Sequence, residues 1–154
     1  MALALARLSP ELDKQREEAI RRCVDWILGL QSKNGGWAAF DKDNNREYLA
    51  KLPFSDFGEL LDPPSVDVTA HLVEMFGKLG YSQDFPPVQR ACDFILREQE
   101  SNGSWFGRWG VNYLYGTWQA LVGPINAGVD RGEDWVQRAA AWVRSVQQVD
   151  GSFG

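Results

Sequence analysis

The chain contains a single histidine, His71, and a carboxylate that precedes it by one helical turn. Residues four positions apart lie on the same face of a helix, so Asp67 and His71 are predicted to be neighbours. A carboxylate beside an imidazole fixes which ring nitrogen carries the proton and favours the charged ring, which suits proton-transfer chemistry. The same face continues through Glu74 and Lys78. Because that pattern is also typical of an ordinary solvated face, both interpretations stay open.

Aromatic side chains are the second group that could do chemistry, and seven tryptophans make their placement informative. A ring face stabilises a nearby cation by about 0.5–2 kcal/mol. Most aromatic side chains serve packing instead, and this is expected of Trp37 and Trp105. The candidates for a cation-stabilising wall are Trp26, Phe57, Trp109, Tyr113 and Tyr115.

Composition argues against several classes of partner. The net charge is −5 and no block of basic residues occurs, so we expect no nucleic-acid partner. Cys23 and Cys92 show no metal-ligand spacing, and Asp41 and Asp43 lack the glycine and glutamate of a calcium loop. We therefore expect no metal. No apolar run of about 18 residues occurs, so no segment is predicted to span a membrane.

A repeat organises the elements that must position these residues. Residues 22–37, 90–105 and 138–153 align without gaps on an Arg, an aromatic, a Gln, a Gly and a closing aromatic residue. The spacing predicts a helix that ends at Asn or Asp followed by Gly, residues that tolerate the left-handed conformation. The glutamine is expected to bond backbone groups at a neighbouring helix end. The paired structural residues are Gln31 and Trp37, Gln99 and Trp105, and Gln147 and Phe153.

Helical patterns also occur between the repeats. Ser65 follows two prolines and is predicted to cap a helix to about Leu79. Residues 112–127 predict a second helix, apolar on most sides and hence buried. Prolines 86 and 87 are expected near a helix start. With no convincing strand pair, the fold is predicted to be all-α, with five or six helices. The apolar stripe predicted for the first of these helices is Val68, Leu72, Met75, Phe76 and Leu79.

Three longer strings carry a family resemblance. Residues 31–45 read QSKNGGWAAFDKDNN, residues 61–71 read LDPPSVDVTAH, and residues 103–117 read GSWFGRWGVNYLYGT. Together with the repeats, they resemble squalene-hopene cyclases, a family of class II triterpene cyclases. The resemblance implies a partial α/α barrel over residues 21–154 with three Gln-Trp repeats, whereas residues 1–20 match poorly. The resemblance implies that no metal or organic cofactor is needed. It also implies that the substrate is a linear triterpene such as squalene.

The resemblance also implies residue roles. In the family an aspartic acid of an Asp-x-Asp-Asp motif protonates squalene, and the ensuing cation cyclises along aromatic walls. His71 matches the histidine that hydrogen-bonds this acid, and Asp67 matches a residue that orients the network. The resemblance implies that Phe57, Trp109 and Tyr115 line the substrate cavity. It also aligns Phe54 and Ser55 with the entry channel, and a buried loop anchor with its neighbour is an equally open interpretation of these two. Trp26 and Tyr113 are the other predicted substrate-binding residues.

The chain departs from the family because it contains no Asp-x-Asp-Asp, and residues 41–44, DKDN, only approach it. We therefore expect the chain to be inactive alone and to need the rest of a cyclase as its partner. The whole enzyme is expected to be cytoplasmic and peripherally associated with a membrane. One alternative is a non-catalytic helical scaffold. Another alternative is the related barrel of protein prenyltransferase subunits, in which Cys92 and His71 would help to hold a zinc ion. The product, hopene or another polycycle, stays open.

Overall fold

A computed structural model describes residues 13–45 and 61–153, and every helix in those ranges is α-helical. The five helices are α1 (Asp13–Gly29), α2 (Val66–Lys78), α3 (Pro86–Arg97), α4 (Tyr113–Asn126) and α5 (Asp134–Val146). The described residues form no strand, and one isolated bridge joins Asn44 to Asp62. The all-α prediction is confirmed. No helix in the described ranges is long and apolar enough to cross a bilayer.

Local signals place the helix ends well. Ser65 and Leu79 flank α2, Asn112 and Ala127 flank α4, and α3 begins at a proline pair. A proline is tolerated there because the first backbone N–H groups of a helix have no partner within it. The role predicted for the Ser65 hydroxyl is wrong, however. Instead of capping the backbone, it donates to the Asp67 carboxylate.

The helix faces differ from prediction. In α2 the apolar residues with no exposed surface are Ala70, Val73 and Phe76, whereas Val68 and Leu72 are only partly buried. The reason is that α2 packs against both α3 and α4, so its buried face is broader than one stripe and is shifted round the helix. The α4 prediction also needs correction, because Trp118 on its outer side is 55% exposed.

Small residues bring α2 and α4 close together. Ala70 and Ala120 are completely buried, and a Cβ built on Gly77 would lie 2.8 Å from the backbone nitrogen of Ala127. A Cβ on Gly123 would lie 3.1 Å from the carbonyl carbon of Ala70. The two helices can therefore approach until side chains on their facing sides share hydrogen bonds.

We expect Gly77→Ala to lower the free energy of unfolding by about 1–3 kcal/mol, because the added methyl group must push α4 away from α2. Gly29→Ala is the matched control, since no atom lies within 4 Å of its added Cβ. There alanine should stabilise the helix by up to about 1 kcal/mol. Urea unfolding followed by circular dichroism measures both, and equal stabilities for the two variants would contradict the close packing.

Candidate functional site

Asp67 is buried in the first turn of α2, with 1% of its surface exposed. Its Oδ1 accepts hydrogen bonds from the Ser65 hydroxyl at 2.6 Å and the Val68 backbone N–H at 3.0 Å. Its Oδ2 accepts one from the Trp109 backbone N–H at 2.7 Å. The solvated-face interpretation of Asp67 is therefore wrong, and its carboxylate ties the start of α2 to the segment before α4.

The imidazole of His71 meets the main chain of Asp67, not its carboxylate. Nδ1 lies 2.9 Å from the Asp67 carbonyl oxygen, one turn earlier in α2. Because a carbonyl only accepts, Nδ1 must carry a proton in this contact. The predicted carboxylate–imidazole contact is wrong, since the carboxylate turns inward to the N–H groups described above. Nε2 of His71 lies 3.0 Å from Nε2 of Gln119 in α4.

Trp109 lies in the segment that the Asp67 carboxylate holds. Its ring is half exposed and contacts Phe40 edge-on, with 5.7 Å between ring centroids. The Arg108 guanidinium carbon lies 5.9 Å from the centroid of the same ring. Trp109 therefore forms one wall of an open cavity, and the other lining residues are Phe40, Asp41, Asn44, Leu61, Asp62 and Arg108.

Tyr115 stands beside His71 at the start of α4, with 6.5 Å between the ring centroids. Two glycines shape its place: a Cβ on Gly107 would lie 2.6 Å from the ring, and a Cβ on Gly110 would lie 2.7 Å from Cε1. Burial raises the pKa of the Tyr115 hydroxyl, and the nearby charge of Asp67 adds to the rise. The hydroxyl therefore stays protonated at neutral pH.

Two other predicted substrate residues, Tyr113 and Trp26, do not join this group. The ring of Tyr113 packs against Phe106 instead, with 5.7 Å between centroids. Trp26 is 67% exposed on α1, in a depression with Ala19, Arg22 and Cys23. Phe54, Ser55 and Phe57 lie outside the described residues. The structure thus brings together Asp67, His71, Trp109 and Tyr115.

Each of the first two repeats is joined through its glutamine to the helix of the next repeat. Gln31 Nε2 donates to the carbonyl oxygens of Gly35 and Pro87, each at 2.8 Å, and Arg90 donates to Gln31 Oε1 at 2.6 Å. Pro87 and Arg90 lie in α3, which carries the second repeat. The second repeat has the same contacts one unit further on, through Gln99 to Gly103, Trp135 and Arg138.

The closing tryptophans link the repeats to the site-bearing helices. The ring N–H of Trp37 donates to the Ile27 carbonyl at 2.7 Å, and its backbone N–H donates to the Thr69 hydroxyl of α2 at 2.9 Å. Trp105 makes matching contacts with Ile95 at 2.7 Å and with Thr117 of α4 at 3.0 Å. Each of these two repeats therefore fixes one of the two helices that carry the site.

This helical repeat with its hydrogen-bonded glutamines and tryptophans agrees with a match over residues 1–154 to the family described as squalene-hopene cyclase C-terminal domain. The chain belongs to this family. It is 46% identical over 154 residues to the squalene-hopene cyclase of Zymomonas mobilis, covering all of this chain and 23% of that protein. The identity to the Alicyclobacillus acidocaldarius squalene-hopene cyclase is 50% over 126 residues, covering 82% of this chain and 20% of that protein.

The matching relatives also include a synthase with a different name. The dammaradiene synthase of Dryopteris crassirhizoma is 41% identical over 160 residues, covering 98% of this chain and 23% of that protein. The chain thus spans less than a quarter of the length of these curated relatives. What they cyclise is a property of the longer proteins.

Within this cyclase domain, we expect Gln31→Leu to lower the free energy of unfolding by about 1–3 kcal/mol, because two carbonyl groups and Arg90 lose a buried partner. Gln147→Leu is the matched control from the third repeat. Its side chain is exposed, donates to the Gly151 carbonyl at 2.9 Å, and should cost less than about 0.5 kcal/mol. Guanidinium unfolding measures the difference, and similar losses at both sites would contradict the helix-joining role.

Gln119 is a residue of the site that the sequence did not predict. Gln119 is 1% exposed in α4 and reaches His71, which lies 48 positions earlier. Its signal was a polar residue in the middle of a helix otherwise rich in Gly, Ala and aliphatic side chains. Such a residue is buried only with hydrogen-bond partners, but the sequence does not say which.

In the part of the chain that the structure describes, no three His, Cys, Asp or Glu side chains cluster. The zinc alternative therefore has no set of ligands there. Burial raises the pKa of the Cys92 thiol to about 12, with a smaller contribution from Asp93. Zinc binds the thiolate form, and this environment opposes thiolate formation.

Proposed function

We propose that this chain is part of a squalene-hopene-type cyclase and supplies the histidine side of its proton-donor network and part of its aromatic wall. The observation that carries the proposal is the buried carboxylate of Asp67, which holds the His71-bearing helix and the Trp109 segment in one group. The similarity to proteins named squalene-hopene cyclases supports squalene as the substrate. Peripheral membrane contact and a cytoplasmic location remain expectations from the family.

The chemistry requires an acid strong enough to protonate a carbon–carbon double bond and a cavity that protects the resulting cation. Rings can stabilise the cation without capturing it as water would. Tyr115 offers a ring beside His71, and two glycines keep it in place. The half-exposed ring of Trp109 belongs to the segment that the Asp67 carboxylate binds. His71, if protonated near the acid, would favour loss of the acid's proton by charge attraction to the carboxylate that remains.

The acid itself is proposed to come from an Asp-x-Asp-Asp segment in another part of the cyclase, because this chain has no such string. The test is a squalene cyclisation assay with product detection by gas chromatography–mass spectrometry. One arm contains this chain alone, and the other adds a separately expressed segment that carries the remaining barrel and the Asp-x-Asp-Asp motif. Activity only in the second arm is expected.

The other outcomes of this assay are equally informative. Activity of the chain alone would show that a different acid works here and would overturn the division of roles. No activity in either arm, with both polypeptides folded and associated, would overturn the cyclase proposal in favour of a helical scaffold. The identity of the product follows from the mass spectrum.

A further inference from the structure

Each of the first two repeats places its turn, the segment from the glutamine to the closing aromatic residue, against the helix of the next repeat. In the first repeat turn, Gln31 donates to the Pro87 carbonyl and accepts from Arg90 of α3. The backbone of the same turn packs over Phe94, since a Cβ built on Gly36 would lie 2.9 Å from Cε1 of that ring. Phe94 is accordingly only 3% exposed.

The helix of the third repeat receives the second repeat turn in the same way. Gln99 donates to the Trp135 carbonyl and accepts from Arg138 of α5. A Cβ built on Gly103 would lie 3.3 Å from the Cβ of Arg138. The two interfaces therefore define what a repeat helix offers to a repeat turn. It offers an arginine, the carbonyl three residues before it and an aromatic ring four residues after it.

The helix of the first repeat carries the same set of groups on an open surface. In α1 the carbonyl is that of Ala19, the arginine is Arg22 and the aromatic residue is Trp26. Together with Cys23 they line a depression of about 520 Å³, and no described residue outside α1 contributes to its lining. Trp26 is 67% exposed, whereas Phe94 at the equivalent position of α3 is buried.

Two features of α1 allow it to make the same contacts. Among the described residues Arg22 reaches only the Glu18 carboxylate, at 3.8 Å and with both side chains exposed. Because such surface pairs contribute little, the guanidinium is available to another acceptor. The Ala19 carbonyl lies inside a helix that begins at Asp13. A carbonyl oxygen has two lone pairs, so it can accept from a glutamine in addition to its own helix.

We propose that the depression on α1 receives a repeat turn from another part of the cyclase. The glutamine of that turn donates to the Ala19 carbonyl and accepts from Arg22, and the backbone beyond it covers the Trp26 ring. This inference rests on the proposed function, in which the rest of a cyclase is the partner of this chain. It gives Trp26 a docking role in place of the substrate contact predicted from the sequence.

Docking at α1 also has a consequence for the site. The first repeat turn binds Thr69 of α2 as well as α3, so a repeat turn contacts both the helix that follows it and the helix of the next repeat. On this pattern, the helix that follows the docked turn lies beside α2, as α2 lies beside α4. Because α2 carries His71, the docked turn brings a helix of the partner next to the histidine-bearing helix.

The test measures association of the whole chain with the separately expressed cyclase segment of the two-component assay, by isothermal titration calorimetry. Arg22→Ala should weaken the association by about 10-fold, as expected for the loss of one charge-assisted hydrogen bond. Arg21→Ala is the matched control, because it removes the same charge from the next position of α1, where Arg21 pairs with Glu18 and Asp25. It should leave the dissociation constant unchanged.

Alkylation of Cys23 locates the contact without any substitution. Cys23 lines the depression, so the bound segment should slow its reaction with iodoacetamide, which peptide mass spectrometry separates from the reaction of Cys92. Equal affinities of the two arginine variants, or an unchanged rate at Cys23 in the complex, would overturn the inference.

Two further outcomes would also overturn the inference. One is the absence of association between folded partners. The other is self-association of the chain that Arg22→Ala abolishes, because the third repeat turn of a second copy would then fill the depression. None of these readouts depends on turnover. Failure of squalene cyclisation with the α1 contact intact would therefore overturn the proposed function alone.

Discussion

Asp67→Asn is expected to lower the free energy of unfolding by about 2–4 kcal/mol, the largest loss of stability that we predict for an isosteric change in this chain. The carboxylate accepts from three donors in Ser65, Val68 and Trp109 and is almost completely buried. An asparagine keeps the shape but presents an NH₂ group to at least one of these donors. A buried donor without an acceptor costs about 1–3 kcal/mol, and a hydrogen bond to a charged group is worth more than one to a neutral group.

Urea unfolding monitored by circular dichroism measures this loss. Asp93→Asn is the matched control, because it also removes one negative charge but at an exposed position of α3. It should change the stability by less than about 0.5 kcal/mol. Equal stability of the two variants would show that the Asp67 contacts do not hold the two segments together.

The same substitution should release Trp109. Because the backbone N–H of Trp109 is the only described contact of the Asp67 carboxylate outside residues 65–68, its loss should increase the mobility of the Trp109 ring. Seven tryptophans obscure a fluorescence change, so the indole resonance of Trp109, assigned by its absence in Trp109→Phe, is the better probe. An unchanged resonance would contradict this link.

The helix ends were predictable because they depend on local chemistry. The glycines at 35, 103 and 151 all have positive φ, from 87° to 95°, in the conformation that the Asn-Gly and Asp-Gly pairs predicted. Proline at the start of α3 likewise needs no tertiary information. The Gln-Trp spacing was informative for a similar reason, since the contacts of the glutamine and of the tryptophan recur with the same geometry in the first two repeats.

The site was less predictable because the Asp67 carboxylate has alternative partners. It could bind the His71 imidazole one turn later, or the backbone N–H groups that it does bind. Spacing placed Asp67 and His71 on one face, which is true of their backbone positions. It could not show that the N–H groups at a helix start and the distant Trp109 N–H would draw the carboxylate inward. The contact of Gln119 with His71 depends on how closely α2 and α4 approach, which is set in part by Ala70 and Gly77, far from Gln119 in sequence.

His71→Ala should reduce squalene cyclisation by about 10²–10⁴-fold in the two-component assay, the range for loss of a group that assists proton transfer. Removal of the imidazole also leaves the buried amide nitrogen of Gln119 without its partner, which should lower the free energy of unfolding by about 1–3 kcal/mol. Cyclisation is therefore compared at equal concentrations of folded protein. The prediction therefore separates a chemical role from a structural one. A loss of activity that merely followed a loss of folded protein would contradict it.

Lys78→Ala is the matched control for this experiment. It changes an exposed residue two turns further along α2 and breaks only the pair with Glu74. Such surface pairs contribute about 0–1 kcal/mol, so cyclisation should remain at the wild-type rate. If Lys78→Ala and His71→Ala lost activity equally, the effect would belong to the charge or packing of the helix face. If only His71→Ala lost it, the imidazole itself would carry the role that its contacts with the Asp67 carbonyl and Gln119 prepare.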